Sequence, residues 1–114
     1  MIVGVGARPG TAPEAVTAAI TAALAAAGAD PGAVTAVATL DRRAGLVRGW
    51  PVRAFTAADL AGQDVPSPSG RVAELAGTPS VAEAAALRAA GPGAVLILPK
   101  RIFGGVTVAI AGPV

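Results

Sequence analysis

Positively charged groups and backbone N–H groups near the start of the chain could together bind an anion. Residues 4–11, G-V-G-A-R-P-G-T, belong to a segment whose short apolar run predicts a buried strand. Thr11 and Glu14 have the T-x-x-E spacing of a capping box, which predicts a helix that begins at Thr11. The N–H groups at that helix start would lie beside Arg8 and attract a phosphate or a carboxylate.

The glycines of this segment leave two further interpretations open. Gly4 and Gly6 carry no side chain, so a ligand could approach the backbone closely. Their spacing with Gly10, G-x-G-x-x-x-G, is one residue longer than the dinucleotide fingerprint. Asp41 follows a second predicted strand, where an acid that binds ribose would lie, so a nucleotide site is one alternative. A tight turn that binds no ligand is the other.

A second helix start and the single lysine are the next candidates. Either Thr78 caps this helix, or Ser80 caps it with Glu83 at the third helical position, and the sequence leaves both open. We interpret Glu83 as a capping residue. Lys100 follows an apolar strand and falls in a predicted hairpin loop, where charges usually face solvent.

The remaining chemistry-bearing residues predict no catalytic pair. No spacing forces two carboxyl groups together among Asp41, Asp59, Asp64 and Glu83. The chain has no Cys and no His, which excludes a disulfide, a thiolate nucleophile and the commonest metal ligands. We therefore expect no metal and no cofactor, and whether the chain is an enzyme stays open.

The composition indicates one domain without nucleic-acid or membrane partners. The 114 residues are 54% hydrophobic but only 3% aromatic, and nearly all the positive charge is arginine. There is no basic stripe and almost no ring on which a base could stack. No apolar stretch reaches the roughly 20 residues of a membrane span, and the start lacks the basic region of a signal peptide. We expect a single domain over residues 1–114, located in the cytoplasm.

Alternating strands and helices must position these candidates. Apolar patterns predict strands near residues 2–5, 33–40, 50–55, 94–98 and 106–110. Helices are predicted over 11–27, over 56–60 and from 78 or 80 to about 90, with an extended loop at 64–69 and a weaker helix at 70–76. This order predicts an α/β fold: one three-layer domain with a mixed β-sheet flanked by helices and a C-terminal β-hairpin. The fully apolar segment 94–98 predicts a central strand.

Six segments, in order along the chain, carry a family resemblance. They are G-V-G-A-R-P-G-T (4–11), A-T-L-D (38–41), V-P-S-P-S (65–69), G-T-P-S-V-A-E-A-A-A-L (77–87), L-P-K (98–100) and V-T-V-A-I-A (106–111). Together they resemble the CobE family, which is also the C-terminal domain of CbiG. The G-T-P-S-V-A-E run is the specific part, whereas the glycine-rich opening alone would be a weak signal.

The resemblance implies a role in cobalamin biosynthesis. In CbiG, the full protein opens the lactone ring of a cobalt-precorrin and releases acetaldehyde. The chain would then bind a corrin-ring precursor, a polycarboxylate, and either take part in lactone opening or act as a carrier that serves other cobalamin-pathway enzymes. The residues expected to bind the precursor are Gly4, Gly6, Arg8, Gly10, Thr11, Asp41, Thr78, Ser80 and Lys100.

The sequence departs from the family pattern in two places. Residues 42–49 are too few for the helix that usually joins the second and third strands. Either one face of the sheet is less covered, or Trp50 fills part of the gap. Residues 102–106 replace a more polar hairpin turn of the family. If that turn touches the substrate, this chain has lost the contact.

Overall fold

Five strands of the described residues form one mixed sheet: β1 Ile2–Gly6, β2 Ala36–Leu40, β3 Val52–Phe55, β4 Val95–Phe103 and β5 Val106–Gly112. Their order across the sheet is β3-β2-β1-β5-β4. The computed structural model describes residues 1–61 and 80–112. Strand β1 runs parallel to β2, β2 runs parallel to β3, and β5 is antiparallel to both β1 and β4. The α-helices of the described residues are α1 Pro13–Ala27, α2 Ala57–Ala61 and α3 Val81–Ala90.

Alternation along β1 separates the two faces of the sheet. Val3 and Val5 pack with α1, whose Val16, Ile20 and Leu24 are buried at the predicted helical spacing. Ile2 faces the opposite side, where it packs with buried residues of α2 and α3. The three-layer α/β arrangement with a mixed sheet and a C-terminal hairpin is thus confirmed.

The start of α1 differs from the prediction. The helix begins at Pro13, its N-cap is Ala12, and no side chain caps it. Ala12 has an extended backbone, with φ −72° and ψ 142°, because the ring of the following proline disfavours the helical region there. The capping box at Thr11 is therefore wrong. Gly28, with φ 67°, ends the helix as predicted.

Strand β4 lies at the edge of the sheet, so the prediction of a central strand is wrong. Strand β5 separates β4 from β1, and the side chains of Val95, Ile97 and Ile102 are 60%, 48% and 74% exposed. An apolar run shows that the residues are hydrophobic, but it does not show which strands lie beside them in the sheet, so it could not predict an edge position. The hairpin is present, but its turn is only Gly104 and Gly105, and Lys100 lies within β4 instead of in a loop.

The short segment between β2 and β3 contains a 3₁₀ helix, Asp41–Leu46. Val47 is buried against the α1 side of the sheet, and Trp50 is half-buried there. The Trp50 Nε1–H donates a hydrogen bond to the carbonyl oxygen of Pro31 over 3.3 Å. The 3₁₀ helix and Trp50 together cover the face that a longer crossover helix would cover.

Some predictions lie outside the described residues: the extended loop at 64–69, the helix at 70–76 and the cap at Thr78. Within the part of the chain that the structure describes, no helix is both long enough and apolar enough to cross a membrane.

Candidate functional site

The carboxyl end of β1 meets the first turn of α3. A β-carbon placed on Gly6 would lie 3.7 Å from Val81 Cβ and 3.8 Å from Ala82 N. It would also lie 3.8 Å from Cβ of Thr107, which pairs with Gly6 across the β1–β5 ladder. The start of α3 therefore lies within ordinary van der Waals distance of the end of a central strand, with room for a methyl group at Gly6.

Ser80 caps α3, which settles the choice that the sequence left open. Its Oγ accepts a hydrogen bond of 3.4 Å from the N–H of Glu83. Among the described residues, no acceptor bonds the N–H groups of Val81 and Ala82, which lie in the first helical turn and have no partner within the helix. The positive end of the helix dipole therefore lies at the carboxyl edge of the sheet.

The turn that follows β1 is held by its own backbone and by Thr11. The N–H and the Oγ1–H of Thr11 both donate to the carbonyl oxygen of Arg8, over 3.2 and 2.7 Å. Gly10 has φ 82°, which a type II turn requires at its third residue, and Pro9 suits the second. The Arg8 side chain is exposed, and no described residue gives it a hydrogen bond or an ion pair.

Arg43 is a residue of this edge that the sequence analysis did not identify. Its Nε donates a hydrogen bond of 2.9 Å to the carbonyl oxygen of Ala7, and it is half-buried. The basic segment 42–49 was the signal, but nothing in the sequence distinguishes this arginine from its neighbours. Asp41 begins the same 3₁₀ helix, is exposed, and lies two residues beyond Thr39, which pairs with Val5.

Glu83 does not complete a capping box, so that interpretation is wrong. Its side chain is fully buried. Oε2 accepts a hydrogen bond of 3.3 Å from the backbone N–H of Lys100 in β4, and Oε1 has no hydrogen-bond partner within residues 1–61 and 80–112. Lys100 is half-buried and is therefore joined to the first turn of α3 through Glu83.

Gly4 lies within β1, directly under α3, and is not part of the exposed turn that follows the strand. A β-carbon there would lie 1.9 Å from the carbonyl oxygen of Ala82, so the space left by the missing side chain is taken by the helix itself. The candidates at or beside the carboxyl edge are Gly6, Arg8, Gly10, Thr11, Asp41, Ser80 and, through Glu83, Lys100. Nowhere in residues 1–61 and 80–112 do three or more carboxylate side chains come together in a group that could hold a metal ion.

Comparison with known proteins gives one family and two similar structures. The family model described as cobalamin synthesis G C-terminus matches residues 1–111. CobE, described as a protein from the cobalamin (vitamin B12) biosynthetic pathway, is 32% identical with a TM-score of 0.75, over 96% of this chain and 87% of that chain. The cobalamin biosynthesis protein chiG from Agrobacterium tumefaciens str. C58 is 32% identical with a TM-score of 0.65, over 96% of this chain and 95% of that chain. Among curated proteins no match was found.

Proposed function

This chain belongs to the family of the cobalamin synthesis G C-terminus and is a cobalamin-biosynthesis protein of the CbiG C-terminal/CobE type; we propose that it acts there by binding a corrin-ring precursor. The observation that carries the proposal is the contact distance between Gly6 and the first turn of α3 at the carboxyl edge of the sheet, where the exposed Arg8 follows Gly6 by two residues. Ligands of α/β sheets favour this edge.

The chemistry of the ligand fits the groups on this edge. Corrin precursors carry acetate and propionate carboxylates around a flat apolar ring. The guanidinium of Arg8 can bind a carboxylate with two parallel hydrogen bonds, and the N–H group of the partly exposed Val81 can bind another. Lys100 adds a further positive charge beside α3. The exposed carboxylate of Asp41 could accept a hydrogen bond from a donor on the ligand.

The test is a titration of the protein with cobyrinic acid, a stable corrin whose acetate and propionate side chains end in free carboxyl groups, followed by visible absorbance. We expect saturable binding that Arg8→Ala weakens by about tenfold or more, since a hydrogen bond to a charged group contributes roughly 1.5–3 kcal/mol. The matched variant is Arg48→Ala. Arg48 is exposed and lies two residues before Trp50, which bonds Pro31 at the opposite edge of the sheet.

Two outcomes would argue against the proposal. If Arg48→Ala weakens binding as much as Arg8→Ala, the effect is one of net charge and not of this edge. If cobinamide, in which all of the side-chain carboxyl groups are converted to amides, binds as tightly as cobyrinic acid, then carboxylates are not what the protein recognises.

One observation favours a carrier, which binds the precursor without reacting with it, over an enzyme that opens the lactone. Glu83 is the carboxyl group of the first turn of α3, and its burial keeps it from exchanging protons with a ligand at the surface. Incubation with the lactone-bearing precursor decides between the two forms. Acetaldehyde release would mean lactone opening, and a stable complex without release would mean carriage to other cobalamin-pathway enzymes, which we place in the cytoplasm.

Nucleotide binding is the weaker alternative. The strand beside β1 on the side away from β2 is the antiparallel β5. A dinucleotide-binding sheet instead has a parallel strand there, and the ligand lies in the crevice between the two. Saturable binding of ATP or NAD would nevertheless support this alternative.

A further inference from the structure

A fully buried carboxyl group lies between α3 and the edge strand β4. Glu83 is the only charged side chain that is buried among the described residues, and no cation of those residues pairs with it. One carboxylate oxygen accepts a hydrogen bond from the Lys100 N–H, and the other has no hydrogen-bond partner in the part of the chain that the structure describes. Burying a carboxyl group with an unsatisfied oxygen costs free energy, and a packed apolar residue would avoid that cost. Because the burial of Glu83 is costly, its hydrogen bond to Lys100 is expected to have a role other than stability.

Strand β4 is irregular at the residue that Glu83 contacts. Leu98 pairs with Ile110 and Arg101 pairs with Val108, so three steps along β4 oppose two along β5. One extra residue is therefore accommodated in β4, as in a β-bulge, and Pro99 within this segment has no N–H to donate. Such bulges change the direction of nearby side chains. Here the Lys100 N–H bonds Glu83.

From this contact we propose that Glu83 is a positioning residue for Lys100. By accepting the Lys100 N–H, the Glu83 carboxyl group fixes the bulge of β4 against the first turn of α3, and it thereby sets the place of the Lys100 ammonium group that binds a carboxylate of the corrin precursor. This inference rests on the proposed function, because it assigns a cause to the position of one of its binding groups.

The role requires a hydrogen-bond acceptor and does not require a negative charge. Glutamine at position 83 keeps an acceptor oxygen of the same reach, whereas alanine removes it. A purely electrostatic role would give the opposite result, because a buried negative charge near an anion-binding edge repels the ligand and its removal should tighten binding.

The experiment is a double-mutant cycle on binding of cobyrinic acid, with Glu83→Ala, Lys100→Ala and the two together, beside Glu83→Gln. We expect each single alanine variant to weaken binding about tenfold. The double variant should bind within about twofold of Lys100→Ala, because Glu83 acts through Lys100. Glu83→Gln should restore most of the binding that Glu83→Ala loses. Amide hydrogen exchange at Lys100 should quicken in Glu83→Ala and not in Glu83→Gln.

A matched control separates positioning from general loosening of α3. Arg53→Ala removes another hydrogen bond to this helix, the 3.2 Å contact of Arg53 Nη1 with the carbonyl oxygen of Ala89 near its other end. If Glu83→Ala is too unstable to titrate, the comparison of Glu83→Gln with the wild type still decides between acceptor and charge.

The outcomes distinguish this inference from the proposed function. If the wild-type protein does not bind cobyrinic acid, both fall. If it binds and the losses of Glu83→Ala and Lys100→Ala add, or if Glu83→Gln binds as poorly as Glu83→Ala, only the positioning role is overturned. Equal losses in Arg53→Ala and Glu83→Ala would also overturn it.

Discussion

The Nε of Arg43 donates a hydrogen bond of 2.9 Å to the carbonyl oxygen of Ala7. This contact joins the 3₁₀ helix that follows β2 to the turn that follows β1. Because these two segments leave neighbouring parallel strands at the same edge of the sheet, a single side chain ties together the two loops of the candidate site.

Loss of this hydrogen bond should make the turn that carries Arg8 more mobile. Arg43→Ala removes a charge-assisted hydrogen bond from a half-buried position, so we expect the free energy of unfolding to fall by about 1.5 kcal/mol, the lower end of the range for such bonds. Amide exchange in residues 7–11 should quicken, and affinity for cobyrinic acid should fall. Chemical denaturation and hydrogen exchange measure the two effects. Unchanged exchange in the turn would contradict the role of Arg43, and Arg48→Ala is the control for loss of charge.

The two glycines of β1 should respond differently to the same substitution. At Gly4 a new β-carbon would meet the Ala82 carbonyl oxygen at 1.9 Å, and backbone has to move to make room. We expect Gly4→Ala to lower the free energy of unfolding by at least about 1–3 kcal/mol. At Gly6 the nearest atoms are 3.7–3.8 Å away, an ordinary contact distance, so Gly6→Ala should cost far less. Urea denaturation of the pair is the measurement, and equal losses would contradict the packing of α3 on Gly4.

The two-residue turn between β4 and β5 depends on positive φ angles. Gly104 and Gly105 have φ 58° and 84°, as in a type I′ turn. Gly105→Ala should destabilise the protein by about 1 kcal/mol, because alanine is strained in this region. Gly104→Asn should be tolerated, since asparagine is common at that position of such turns. Thermal denaturation compares the two variants, and a harmless Gly105→Ala would argue against this turn geometry.

The free energy of unfolding should depend on pH through the protonation of Asp59. The backbone N–H of Thr56, then the Thr56 hydroxyl and the charge of Arg88, lower the pKa of the Asp59 carboxyl below its ordinary value of 3.8. A lowered pKa in the folded state stabilises the protein above the unfolded pKa, and this contribution is lost as the pH falls through the folded pKa. Asp59→Asn should therefore be less stable than the wild type at neutral pH, and the difference should vanish in strong acid. A difference that is constant with pH would contradict this linkage.

Local signals predicted much of the fold. Gly28 ends α1, and Thr56 and Asp59 exchange hydrogen bonds at the start of α2. The Ser80 side chain caps α3 by accepting the N–H of Glu83, three residues later. Each of these depends on residues within a few positions, so the sequence carries the information directly. The same holds for the apolar stripe of α1.

One error was local, whereas the other errors and the missed Arg43 contact depended on residues that are distant in the sequence. Thr11 matched a capping box, but the ring of Pro13 keeps Ala12 extended and the helix starts later. The apolar segment of β4 suggested a central strand, but its place depends on β5, which pairs with β1. Glu83 matched a cap, yet its side chain reaches Lys100, seventeen residues away. The Arg43 contact with Ala7 spans thirty-six residues, and spacing alone does not predict a contact at that separation.

The pairing of β1 with β5 also constrains how the chain can fold while it is being made. Ile2 lies opposite Ala111 and Val3 opposite Ile110, so the centre of the sheet joins the first strand to the last. The ribosome releases β1 first, and β1 can pair with β2 early, but its other edge stays open until residues through Gly112 have emerged. The central ladder of this domain therefore closes only after nearly all of the described chain has been synthesised.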